Sequence, residues 1–327
     1  PSRRPTVRAG YRIGCFSRGS TRRMPWPSRI PSAEGPFGGY VPRVHRRPQR
    51  WVRSRAVQGF TLLELLVVIA IIAVLAAVLL PALGKAKSQA KKVNEISSAR
   101  QLMLGWTLYA QDHQERVLKG YKHFQPDEPL PIDKSGNPVP HPINSRYPWR
   151  LAPWLGKNFG VMYANENAPL LRQFESMPDP FIATYAASVF PSLGINATFV
   201  GGDDLELPPV PRAFDQFGEF CVLRTSDAKR PDNLLVFSSA RGPFEGKIVH
   251  GFYQVKSPYF MARRWSQDFN PADGPEAWGH VHPRFSGRAV TGMLDGHVEA
   301  MNHRELQDMR HWSNQADKPD WSLQRVR

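Results

Sequence analysis

The strongest pattern in the chain is a block of sixteen consecutive apolar residues, Leu65–Leu80. Phe60–Leu63 precede it and Pro81–Leu83 follow. As a helix, Phe60–Leu83 rises about 36 Å at about 1.5 Å per residue. That exceeds a hydrocarbon core of roughly 30 Å, so residues 60–83 are expected to form a transmembrane helix. Its single charge, Glu64, falls near its start.

After Gly84 the pattern turns from continuous to periodic. Ala86, Ala90, Val93, Ile96, Met103, Trp106 and Ala110 recur mostly at three- and four-residue steps, which predicts one apolar helical face. Lys85, Lys87, Lys91, Lys92, Glu95 and Arg100 are assigned to the opposite, solvated face. Residues 84–114 therefore read as an amphipathic continuation of the same helix, ending near Gln114, with a bend at Pro81 and Gly84. Its apolar stripe needs a partner, which the remainder of the chain must supply.

Residues 115–327 predict a globular, β-rich domain. The proline-rich stretch from Pro126 to Pro142 prohibits a long helix. Asn167–Glu175 reads as a short helix, and Ala197–Val200, Glu219–Arg224, Asn233–Ser238 and pieces of Lys247–Met261 read as strands. Arg288–Leu294 and His297–Met301 form the clearest hairpin, and Asp295-Gly296 between them favours a two-residue type I′ turn. Arg304–Trp312 reads as a terminal helix. The expected fold class is α+β: a long N-terminal helix packed on an antiparallel sheet, with irregular insertions.

Charge changes the picture at the other end. Residues 1–59 hold fourteen Arg and one acidic residue, Glu34, a net of +13, whereas the remaining residues hold 29 Lys and Arg against 27 Asp and Glu, a net of +2. The basicity therefore belongs to a head rich in Arg, Pro, Gly and Ser with no structural period, expected to be disordered. A nucleic-acid partner is not expected, since it would rest on this head alone. The sequence opens at Pro1 and Met24 is its first Met, so the head reads in part as an over-extended gene start with a shorter true leader. Of the two cysteines, Cys15 lies in the head and Cys221 in the body. Removal of the head leaves no internal disulfide, and Cys221 reads as a small buried apolar residue.

Gln58-Gly59-Phe60-Thr61-Leu62-Leu63-Glu64, followed by the apolar block, resembles the processing site of type IV prepilins, including the pseudopilins of type II secretion. That family cuts after a Gly, carries Glu as the fifth mature residue, and often has Pro at the twenty-second. Counted from Phe60, these are Glu64 and Pro81. The resemblance implies cleavage between Gly59 and Phe60 by a prepilin peptidase, N-methylation of Phe60, and assembly with other pilin or pseudopilin subunits on an inner-membrane platform. It also implies a single-pass protein of the bacterial inner membrane with its C-terminal domain in the periplasm or on a filament. The cluster Arg46, Arg47, Arg50, Arg53 and Arg55 before the span agrees with that orientation. The residue physics is separable from the family. Gly59, without a side chain, lets the backbone lie close to a protease. Glu64 in an apolar segment is costly unless partnered, and a neighbouring subunit's new Phe60 amine would pair with it and set the helix register.

A second resemblance lies near the C-terminus. Arg284-Phe285-Ser286-Gly287 and Leu294-Asp295-Gly296-His297-Val298-Glu299 are similar to the tail of large prepilin-like proteins abundant in planctomycetes and verrucomicrobia. Their signature is a His, nine residues, then Asp-Gly; here Phe285 stands where the His falls.

Other candidate chemistry is thinner. His280, His282, His297, His303 and Asp295 form no zinc motif. Asp203, Asp204 and Glu206 after Gly201-Gly202 offer oxygen ligands for calcium but no EF-hand. Asn196-Ala197-Thr198 fits the glycosylation pattern and carries little weight in a bacterial setting. There is no phosphate-binding loop, nucleophile elbow or spaced triad, so no enzyme is expected. The expected role is a structural pseudopilin of a secretion-type filament. The alternatives are a type IV pilus subunit, and a membrane-anchored glycan- or protein-binding module using Trp149 and Trp154 as stacking platforms.

Overall fold

The computed structural model describes residues 61–133, 135–205 and 212–326. The basic head, Gly59 and Phe60 lie outside the described residues, as does Glu206.

One helix, α1 (Leu62–Asp112), runs for 51 residues, about 76 Å at about 1.5 Å per residue. Pro81 sits inside it and does not end it; the missing N–H removes one bond to the preceding turn, and the helix continues through Gly84. It stops two residues before the expected Gln114. Gln114 and Glu115 take left-handed φ values of 57° and 64°, and Glu115 N–H returns to the Ala110 carbonyl at 2.7 Å, which turns the chain out of the helix.

The two halves of α1 differ in what they meet. Every large apolar side chain from Leu62 to Leu83 is exposed, whereas Glu95, Ser98, Ala99, Leu102, Met103, Gly105, Trp106 and Ala110 are buried. Ala86, Ala90 and Val93, expected on the packed face, are exposed instead, and Glu95, expected in solvent, is buried. The packed stripe therefore begins only at Glu95.

That stripe covers one face of a five-stranded sheet built from β1 (Leu193–Asn196), β2 (Leu235–Ser239), β5 (Gln254–Val255), β6 (Arg288–Met293) and β7 (Val298–Asn302), in the order β5-β1-β2-β6-β7. Strands β3 (Gly242–Phe244) and β4 (Lys247–Val249) form a separate ribbon. The sheet is mixed rather than wholly antiparallel: β5 pairs in parallel with β1, because the chain reaches it through the β3–β4 ribbon and not through a hairpin from β1. Ala197–Val200 and Glu219–Arg224 contribute only a bridge between Val200 and Val222 and one between Arg116 and Arg224, and β1 precedes the expected strand. The terminal helix is shorter than expected, α6 (His303–Leu306) followed by a tight turn at Met309–His311.

Four further helices complete the domain: α2 (Tyr147–Leu151), α3 (Asn167–Glu175), α4 (Pro180–Val189) and α5 (Arg212–Phe217). The α3 bounds are those expected from the sequence. Central strands β2 and β6 are buried nearly throughout, as strands covered on both faces must be. Leu102, Trp106, Phe237 and Val290 belong to the core on the α1 side. Leu235, Met293, Trp278 and Trp312 belong to the other.

Gly292 in β6 lies tight against α1. A Cβ there would lie 2.7 Å from both Cγ and Sδ of Met103. Gly292→Val should therefore destabilise the domain by about 1–3 kcal/mol, as overpacking of a filled core does. Urea denaturation of the full chain in detergent checks this; an unchanged midpoint would show that Met103 swings aside freely.

Candidate functional site

Thr61 starts α1 in extended conformation and caps it. Glu64 N–H donates to Thr61 Oγ1 at 3.2 Å, while Thr61 N–H and Oγ1 both donate to Glu64 Oε2 at 2.9 Å. This reciprocal box satisfies helix-terminal donors that lipid could not. It gives Glu64 a local partner in the isolated chain and leaves Oε1 free to accept another donor. Beyond it the apolar surface is continuous: the most apolar window of α1 has a mean hydropathy of 3.2 and none of it is buried. Such a surface is stable only in lipid or against other apolar helices.

At the other end of the lysine-rich stretch, α1 is tied to the sheet by a buried ion pair. Arg284, just before β6, donates from Nε to Glu95 Oε2 at 2.9 Å and from Nη2 to Glu95 Oε1 at 2.7 Å. Ser239 of β2 donates its hydroxyl to the same Oε1. Arg284 also donates from Nη1 to the Ala240 carbonyl and from Nη2 to the Ser192 carbonyl, each at 2.8 Å. The Ser239 hydroxyl in turn accepts from Val290 N–H at 2.8 Å. One carboxylate thus gathers α1, β2, β6 and the residue before β1. With side-chain exposures of 6% for Arg284 and 1% for Glu95, this pair is insulated from water and salt. The sequence reading missed it, although its spacing held a signal: Glu95 extends the 99-102-106-110 stripe backward by one step.

Residues 54–80 match the family model of the prokaryotic N-terminal methylation motif. The chain is a pilin-like prepilin precursor. No curated protein and no solved structure matches it. The motif implies processing by a prepilin peptidase and assembly with other pilin subunits, and together with the long apolar α1 it points to membrane anchoring. Pilin-like proteins are structural rather than catalytic.

Elsewhere in the prepilin, Asp295 and Gly296 lie in the β6–β7 connection, but the loop holds three residues, not two. Gly296 N–H donates to Met293 O and Met293 N–H to His297 O, both at 2.9 Å, and Gly296 alone of the loop has positive φ, 97°. This is a type I turn closed by a left-handed glycine bulge. Phe285 is buried in the core, and its main chain pairs both ways with Arg288 across Ser286 and Gly287, which have φ of 52° and 77°. This second tight turn aims its neighbour Arg284 at α1.

The histidines do not converge. Burial first, then the Arg284 charge, pushes His282 down to about 2. His280 stacks on Phe252 and burial lowers it to about 4. His297 pairs with Asp295 at 2.7 Å, and His303 stacks on Phe269. Among the described residues no three His, Cys, Asp or Glu side chains gather as metal ligands. Asp204 receives Lys119 Nζ at 2.7 Å and His123 N–H at 3.1 Å, and Asp203 Oδ1 receives Leu205 N–H at 2.9 Å; a calcium ion would have to displace the lysine. Trp149 is buried, whereas Trp154 is half-buried and donates Nε1 to Asp112 at 2.7 Å. Cys221 is buried as a free thiol that burial pushes up to about 12, a value that keeps it unreactive.

Proposed function

We propose that the mature chain is a pseudopilin, a structural subunit of a type II secretion-like filament. The observation that carries this reading is the division of α1: its first 22 residues expose a continuous apolar surface while its last turns are clamped to a folded domain. In this reading the precursor sits in the bacterial inner membrane with residues 1–59 cytoplasmic and 115–327 periplasmic. Prepilin peptidase cuts between Gly59 and Phe60 and methylates Phe60. The Phe60 amine of one subunit then meets Glu64 Oε1 of the next, a charge-assisted contact that the neutral Thr61 cap cannot match. The chain catalyses nothing and needs no nucleic acid. The buried, unpaired Cys221 supports a secretion filament over those pili whose subunits carry a C-terminal disulfide.

Glu64→Ala should leave cleavage intact and reduce the amount recovered in sheared filaments at least tenfold, measured by immunoblot. Wild-type recovery would sink the register role. Deletion of the chain should abolish an exported activity while surface pili persist; loss of long pili that contain the chain would instead assign it to a pilus.

A further inference from the structure

Beside the C-terminal end of α1 lies an open cavity of about 260 Å³. Its walls are largely rings: Tyr109 and His113 from α1, Phe124 from the following loop, and Trp154 after α2. Tyr109 stacks on His113 with centroids 4.0 Å apart, and Trp154 stands edge-on to both at 4.9 and 5.3 Å. The bond to Asp112 fixes the indole in place.

Arg150 lines the same cavity and is 7% exposed. Its Nη2 donates to the carbonyls of Lys119, Gly120 and Ser145 at 2.6, 3.1 and 3.1 Å. Its Nε has no hydrogen-bond partner. Among the described residues no carboxylate lies within ion-pair distance of it. Glu128, on the rim, is taken by Lys122 at 3.0 Å, and Asp204 by Lys119. A guanidinium withdrawn from water onto main-chain carbonyls, with Asp203 and Asp204 acting on it only from beyond contact distance, has no carboxylate directly against it; a carboxylate is the anion that matches its planar fork. Burial lowers the Arg150 pKa to about 10, against the opposing influence of Tyr109, Asp204 and Asp203.

Place and shape narrow the ligand. Tyr109 lies about 39 Å along the helix from Leu83, at about 1.5 Å per residue, beyond reach of lipid headgroups. The volume falls below the roughly 300–1,000 Å³ of drug-sized sites, which leaves room for one or two rings. Tyr109 and Trp154 meet at 77°, so they form a corner rather than the parallel slot that would clamp a flat aromatic acid. A corner of ring faces suits the C–H face of a sugar.

We propose that this cavity binds a hexuronate unit of an acidic polysaccharide, its sugar face against Tyr109 and Trp154 and its carboxylate on Arg150. This holds whether the filament serves secretion or a pilus, and the test needs no assembly. The full chain in detergent micelles is titrated calorimetrically with trigalacturonate, the neutral trisaccharide galactotriose, and benzoate. Trigalacturonate should bind saturably, and galactotriose and benzoate at least tenfold more weakly. Trp154→Ala should weaken trigalacturonate at least tenfold, while Ile248→Ala, exposed on the β3–β4 ribbon, should leave it unchanged. Lys122 also lines the cavity; Lys122→Met keeps Arg150 and its carbonyl bonds intact, removes this second cation, and should weaken binding severalfold. Absent trigalacturonate binding, equal affinity for galactotriose, tighter binding of benzoate, or an unaltered Trp154→Ala affinity would each overturn the proposal.

Discussion

Replacing Glu95 with Ala is expected to destabilise the outer domain by about 3–5 kcal/mol, the cost of leaving one member of a buried ion pair without its partner. Against a total stability of about 5–15 kcal/mol this is a large fraction. The reason is the accounting of donors around Arg284. Its Nε points at Glu95 Oε2, and Nη2 and the Ser239 hydroxyl at Oε1; without that carboxylate, Nε loses its only acceptor, Nη2 and Ser239 keep one carbonyl each, and the guanidinium is left buried without its counter-charge. Arg284→Ala should cost a similar amount for the mirror reason. Arg284→Lys should recover little, since one ammonium cannot reach the carboxylate and the carbonyls of Ala240 and Ser192 together. The double replacement Glu95→Leu with Arg284→Met should be less harmful than the sum of the single changes, because it removes both charges and leaves an apolar contact. Urea unfolding followed by tryptophan fluorescence reports on this directly, since Trp106 lies buried on α1 three turns beyond Glu95. Single-variant losses below about 1 kcal/mol would place the pair among ordinary surface bridges and remove it as the clamp.

Gly59→Val is expected to leave the protein as precursor. A branched side chain at that position holds the scissile bond away from the peptidase, and a displacement of about 1 Å from productive geometry can cost about 10²-fold in rate. The membrane fraction should then contain the chain with its head, which carries fourteen of the arginines and a net charge of +13. No Phe60 amine forms, so Glu64 keeps only its own Thr61 cap and filament incorporation should fall with cleavage. Intact-mass analysis separates the two species. A mature N-terminus at Phe60 in the variant, or at any other residue in the wild type, would displace the assigned site. Gly59→Val and Glu64→Ala differ in a way that tests the order of events: the first should block cleavage and assembly, the second assembly alone.

The anchor was legible because it depends on local quantities. Sixteen apolar residues in a row need no tertiary context to specify a helix long and apolar enough to cross lipid, whereas the Thr61–Glu64 cap that starts it was not read from the sequence. The α3 helix and the β6–β7 hairpin were legible for the same reason. The details around them were not. Asp-Gly is compatible with a two-residue turn or with a bulged three-residue loop. The choice is made by Leu294 N–H and Asp295 N–H, which donate to the Leu234 and Pro231 carbonyls at 2.9 and 3.1 Å and draw Leu294 out of the β6 ladder. The parallel β5–β1 pair depends likewise on where the β3–β4 ribbon delivers the chain.

By itself the sequence determined that this protein carries a prepilin-type N-terminus: where its charge lies, and which segment is apolar and long enough to cross a membrane. Only the tertiary structure decided that Glu95 is an interior residue, that Arg284 is its partner 189 positions away, and that Arg150 lines an aromatic cavity with no carboxylate in contact among the described residues. A side chain's period along a helix reveals which face it occupies. Whether a charge on that face meets solvent, an opposite charge or an open cavity depends on segments distant in the chain, and only folding brings them together.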